Sequence, residues 1–268
     1  MFLASPITFP NLGITVDPSP VAFTVFGKDI YWYGIIIASG FLLAVLYMLH
    51  RAKDFGVTQD DVLDMILWAV PIGVVCARLY YCIFYWELYE DDPISMLYIW
   101  EGGLAIYGGI IGGVITLLVV AKVKKIPAPV LLDLAGMGVI IGQCIGRWGN
   151  FFNEEAHGMQ TDLPWAQIID GVGYHPTFLY ESIWCFALFW FLLWFDNRHR
   201  SFNGQIICLY MILYSVERFF VEGLRTDSLM FGPLRQAQLI SLGLILIGIV
   251  LYVVLKKRAA SKGDTGLS

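Results

Sequence analysis

The segment Gly146-Arg147-Trp148-Gly149-Asn150-Phe151-Phe152-Asn153-Glu154-Glu155 puts one guanidinium, two carboxamides and two carboxylates within ten residues, with glycines between them. It follows directly on a strongly apolar stretch, Val130 to Ile145. Ionisable groups at the mouth of a membrane helix are costly and mark function by default. Arginine's planar fork suits phosphate oxygens, so a phosphate-bearing lipid is the ligand this chemistry predicts. A second array, Tyr214, Arg218 and Glu222, is spaced i, i+4, i+8 on one helical face, with Arg225 about a turn further. Its plain reading is an Arg218–Glu222 pair that neutralises itself. The same carboxylate can also hold a guanidinium in place for an anionic ligand.

The elements that must position these groups follow from composition. The chain has 268 residues, 58% of them hydrophobic and only 15% charged, against roughly a quarter charged in soluble domains. A membrane protein is the class this allows, and the length permits up to about seven spans of about 20 residues each. Cys76, Cys82, Cys144, Cys185 and Cys208 all lie in apolar stretches without a C-x-x-C pair, and read as small hydrophobes. His50, His157, His175 and His199 have no metal-ligand spacing. Neither a metal nor another cofactor is expected.

The expected fold is an all-α integral membrane protein. Seven spans are predicted at about 31–49, 63–84, 103–121, 129–147, 178–195, 205–223 and 237–255. Residues 1–30, with Pro6, Pro10, Pro18 and Pro20, read as an irregular surface arm with no cleavable signal pattern. Residues 31–255 form the membrane domain, with an external head loop at 148–176, and 256–268 a basic tail. Arg51, Lys53, Lys122, Lys124, Lys125, Arg198, Arg200, Lys256, Lys257, Arg258 and Lys262 follow the odd-numbered spans. The positive-inside rule makes that side cytoplasmic, with the N-terminus outside and the C-terminus inside. Of the other basic residues, Lys28, Arg78, Arg147, Arg218, Arg225 and Arg235, three arginines (Arg78, Arg147, Arg218) are expected at one depth in the outer half of the membrane.

Further candidates flank them. Glu101-Gly102-Gly103-Leu104-Ala105-Ile106-Tyr107-Gly108-Gly109, followed by Gly112 and Gly113, reads first as close helix packing, with Tyr107 at the depth of the arginines. Tyr33 is an interfacial tyrosine or a site residue. His175 either begins the fifth span with Pro176 and Thr177 or serves as a proton acceptor near neutral pH. Asp133, near the inner end of the fourth span, has no assigned role. A transporter would want polar groups at mid-membrane and two related halves, and an intramembrane serine protease a G-x-S-x-G-type elbow. The sequence has neither pattern, Ser39-Gly40 being a weak substitute for the second. A non-catalytic lipid-binding scaffold stays open.

Ordered along the chain are Ile30-Tyr31-Trp32-Tyr33-Gly34, Ala77-Arg78-Leu79-Tyr80-Tyr81, Trp100-Glu101-Gly102-Gly103, Gly146-Arg147-x-Gly149-Asn150-Phe151-x-Asn153-x-Glu155-x-x-Gly158, His175-Pro176-Thr177-x-Leu179-Tyr180-Glu181 and Arg218-x-x-x-Glu222-x-x-Arg225. Over nearly its whole length the chain resembles bacterial prolipoprotein diacylglyceryl transferases. The resemblance implies transfer of a diacylglyceryl group from phosphatidylglycerol to the lipobox cysteine of a prolipoprotein signal peptide. It also implies a multi-pass protein of the bacterial cytoplasmic (inner) membrane, with no cofactor and no nucleic-acid partner. By resemblance Arg147 binds the phospholipid and Arg218 is the second essential arginine. Asn150, Asn153 and Glu155 shape the head-group site, Glu222 positions Arg218, and Tyr33, Arg78 and Arg225 contribute to substrate binding. Many members carry a histidine where this chain has Tyr107, and a neutral phenol with pKa about 10 is a poor base at pH 7. His175 is therefore the expected base, with Glu155 behind it, and Tyr107 positions phosphate or thiol.

Overall fold

A computed structural model describes residues 6–226, 230–232 and 234–261. Among the described residues seven helices have 19 or more residues: α1 (Trp32–Arg51), α2 (Gln59–Phe84), α3 (Ile106–Lys124), α4 (Ala128–Phe152), α5 (Thr177–His199), α6 (Gln205–Leu224) and α7 (Gln236–Ser261). Six are long and apolar enough to cross a membrane. The other, α6, is the one whose apolar run is interrupted by Glu217, Arg218 and Glu222. The boundaries depart from expectation where local chemistry extends or trims a helix. α2 starts four residues early because Thr58 and Asp61 form a reciprocal capping box. α3 starts late because Gly102 and Gly103 have positive φ. α4 runs on past the expected end at 147 to Phe152, so Asn150 lies on helix rather than in the head loop.

The chain divides into two units, Met48–Leu134 and the remainder. In the smaller one α2 and α3 pack antiparallel through bare backbone. A Cβ on Gly108 would stand 2.3 Å from the Cys76 carbonyl oxygen, and one on Gly112 2.8 Å from Cys76 Cβ. Close packing is thus the role of these two glycines.

In the larger unit α4, α5 and α6 share a buried core of Met137, Ile140, Cys185, Leu188, Leu192 and Ile206. The N-terminal segment corrects the expectation of an irregular arm. It forms β1 (Ile7–Phe9), β2 (Ile14–Val16), β3 (Val21–Val25) and β4 (Lys28–Tyr31). β3 and β4 make a hairpin. β1 joins β2 to the head strand β5 (Gln167–Ile169), which pairs with β6 (Val172–Tyr174). Alternation explains the order: Ile7 and Phe9 point one way and bury against Phe151 of α4 and Phe178 of α5. Each such burial is worth about 1.5–3 kcal/mol, and the prolines at 10, 18 and 20 fall between strands. A short hairpin, β7 (Met230–Phe231) and β8 (Leu234–Arg235), precedes α7. The basic tail begins as helix, since α7 runs to Ser261. Lys262 and the first five residues of the arm lie outside the described residues.

Candidate active site

The head sits over the ends of α4, α5 and α6 and is tied there by backbone. Gly158 pairs with Arg225, the Met159 N–H donates to the Leu224 carbonyl (2.7 Å), and the Gly158 N–H to the His175 carbonyl (2.9 Å). Gly158 must be glycine, because a Cβ would stand 2.6 Å from His175 Cβ. The signature segment, the His175–Glu181 segment and the α6 array are thereby brought to one place.

At that place Glu181 of α5, 1% exposed, bridges two arginines. Its Oε1 accepts from Arg218 and its Oε2 contacts Arg147. Arg218 also meets Glu222 Oε2 at 2.6 Å, one turn along its own helix. A guanidinium carries more N–H donors than these carboxylate contacts engage. Each arginine side chain is about a fifth exposed, 21% and 19%, which leaves an approach for a ligand. Below them the polar column continues inward. Tyr214 lies beside Arg147, Tyr210 stacks on Tyr214, and the Tyr210 hydroxyl donates to Gln143 (2.9 Å).

Beside Arg147 the signature closes on itself. The Asn150 and Asn153 amides both donate to Glu155 Oε1, at 2.9 and 3.4 Å. Glu155 stands between Glu154 and Ala156, both in the left-handed region (φ 51° and 59°), a conformation costing about 1–2 kcal/mol per non-glycine residue. Thr177 fixes this turn by donating to the Ala156 carbonyl. Tyr33 packs on the same helix: a Cβ on Gly149 would lie 2.7 Å from its ring.

The other expected residues have different surroundings. Arg78, expected to bind substrate, is 6% exposed and occupied by backbone carbonyls of the α2–α3 connection: Met96 (2.9 Å), Ser95 (2.8 Å), Gly102 (2.6 Å) and Gly103 (3.2 Å). Its guanidinium also lies over the Tyr89 ring. Tyr107 opens α3 with its ring 6.3 Å from that of Tyr80. Both belong to the smaller unit. His175 engages the Tyr180 hydroxyl through Nδ1 (3.2 Å), and Trp165 donates to that same hydroxyl (2.8 Å). Arg225 is half-buried, and its N–H donates to the Glu222 carbonyl (3.2 Å), which also accepts from the Arg235 guanidinium.

Two residues escaped sequence reasoning. Glu181 was part of a recognised segment but had no assigned role. Its signal was an acid in the first turns of an apolar helix with no basic residue within a turn. Glu217 stood beside Arg218 and drew no notice, although adjacent helical positions face about 100° apart and cannot pair as i, i+4 positions do.

The model of the family described as "Prolipoprotein diacylglyceryl transferase" matches residues 20–254. The chain is 49% identical over 238 residues to the phosphatidylglycerol–prolipoprotein diacylglyceryl transferase of Clostridioides difficile (strain 630), covering 89% of this chain and 96% of that one. The enzyme of the same name from Finegoldia magna is 48% identical over the same shares. That of Bacillus cytotoxicus is 44% identical over 269 residues, with 96% of each chain covered. The match spans every segment that builds the arginine–carboxylate cluster, and the chain belongs to the prolipoprotein diacylglyceryl transferase family.

Proposed function

We propose that this protein transfers the diacylglyceryl group of phosphatidylglycerol to the lipobox cysteine thiol of prolipoproteins, releasing glycerol phosphate. The observation that carries the site assignment is the pair Arg147 and Arg218 held on one buried carboxylate, Glu181. In the reaction the thiol sulfur forms a bond to the glyceryl carbon, the carbon–oxygen bond to phosphate breaks, and its electron pair stays on the phosphate oxygen. The sulfur must lose its proton to attack well. The two guanidiniums meet the charge growing on the leaving phosphate, and Glu181 and Glu222 hold them at that spot. Asn150, Asn153 and Glu155 offer donors and an acceptor to the head-group glycerol, and Tyr33 lines the approach beside Gly149.

In this reading all seven long helices cross the cytoplasmic membrane of a bacterium, with the N-terminus and head outside. Charged α6 is tolerated because its ionic face meets Arg147 and Glu181 rather than lipid. Arg78 acts as a positioning residue for the α2–α3 connection, and Arg225 acts through the head's attachment. We assign His175 to the Trp165–Tyr180 framework of the head rather than to proton removal.

The test mixes purified protein, labelled phosphatidylglycerol and a lipobox peptide in cysteine and serine versions. Label on the cysteine peptide alone is expected. Binding without transfer would instead make the protein a scaffold, and label crossing sealed vesicles a transporter. Arg147→Lys, which keeps charge but loses the fork, is expected to lower transfer about a hundredfold. Wild-type rates in that variant would remove Arg147 from the site.

A further inference from the structure

Three carboxyl groups and two guanidiniums meet where α4, α5 and α6 converge, and one of the five has no hydrogen-bond partner among the described residues. Glu217 is 7% exposed, and neither of its buried carboxyl oxygens takes a hydrogen bond. The titratable and charged groups around it are Arg147 from α4, Glu181 and Cys185 from α5, and Arg218 from its own helix. The two guanidiniums already face two carboxylates, Glu181 and Glu222. A third, bare carboxylate would cost several kcal/mol to bury. It would also leave the site net negative where a phosphodiester anion has to bind. A leucine or glutamine would fill the position without either cost.

We propose that Glu217 enters the site as the neutral acid and carries the proton of the transfer reaction. The inference rests on the transferase reading above. The displacement is a single step: as the sulfur–carbon bond forms and the carbon–oxygen bond breaks, Glu217 gives the proton on one carboxyl oxygen to the departing phosphate oxygen and takes the thiol proton on the other. Net, one proton moves from sulfur to phosphate, glycerol phosphate leaves as the monoanion, and Glu217 ends as it began. No free base is needed, which fits a chain with tyrosine at position 107. The two carboxyl oxygens allow acceptance on one and donation from the other. Arg147 and Arg218 beside it stabilise the negative charge that develops during that step.

The experiment compares wild type, Glu217→Gln, Glu217→Asp and His175→Gln in the vesicle assay across neutral and alkaline pH. Transfer by the wild type to the cysteine peptide decides the transferase reading independently; the variants decide only the role of Glu217. Glu217→Gln is expected to lower kcat about a hundredfold with KM for phosphatidylglycerol unchanged, and to abolish the alkaline fall in kcat. Glu217→Asp is expected to keep more activity, with that fall displaced in pH. Wild-type kcat and pH profile in Glu217→Gln would overturn the proposal. So would a loss confined to KM, or an alkaline fall that disappears in His175→Gln while persisting in Glu217→Gln. If Glu217→Gln does not fold, an unchanged pH profile in Glu217→Asp overturns it alone.

Discussion

Glu181 and Arg147 lie on successive helices, and their charged ends meet where the carboxylate is 1% exposed. Glu181→Gln removes the countercharge that Arg147 and Arg218 share. Leaving a buried charge uncompensated costs about 3–5 kcal/mol. A lower unfolding temperature in detergent and loss of transfer are expected together. A variant as stable and active as wild type would show that the bridge is incidental.

Gly149 lies under the Tyr33 ring with no room for a Cβ. Gly149→Ala should push the ring off the signature helix and slow transfer several-fold. In a Tyr33→Ala background the same substitution should cost nothing further. A double-mutant cycle measures this directly; additive losses would separate the two residues.

Gly108 and Gly113 share a helix and differ in surroundings. A Cβ at Gly108 would run into the Cys76 carbonyl, whereas nothing lies within 4 Å of one at Gly113. Gly108→Ala should destabilise by about 1–3 kcal/mol through overpacking, and Gly113→Ala should be neutral or better. Thermal unfolding of the two variants gives the comparison.

Arg78 holds four carbonyls of the α2–α3 connection at once. Arg78→Lys keeps the charge and loses the fork, so several of these carbonyls go unmet. Faster proteolytic cleavage between residues 85 and 105 is expected, with reduced transfer following from it. Unchanged cleavage together with a raised KM for phosphatidylglycerol would return Arg78 to substrate binding.

Much of the site was legible wherever the chemistry is local. Arg218 and Glu222 pair because they are four residues apart on a helix, and Asn150, Asn153 and Glu155 meet because a tight turn follows α4. Six of the long helices followed from apolar run length, whereas Glu217, Arg218 and Glu222 interrupt the run of α6. Boundaries were less legible: Phe151 carried α4 past Arg147 because it buries against β1 and Phe178, contacts absent from the local pattern.

By itself the sequence determined the long apolar helices and the pairing of Arg218 with Glu222, because run length and i, i+4 spacing are properties of a short stretch of chain. Only the tertiary structure decided that Glu181 joins Arg147 to Arg218, that Glu217 is buried without a hydrogen-bond partner among the described residues, that Arg78 serves the backbone of a loop, and that Ile7 and Phe9 pin an ordered arm against α4 and α5. Each of these depends on which faces of distant segments meet. That is settled by burying apolar surface, and the polar groups carried on those faces then have to find, or go without, the partners that packing gives them.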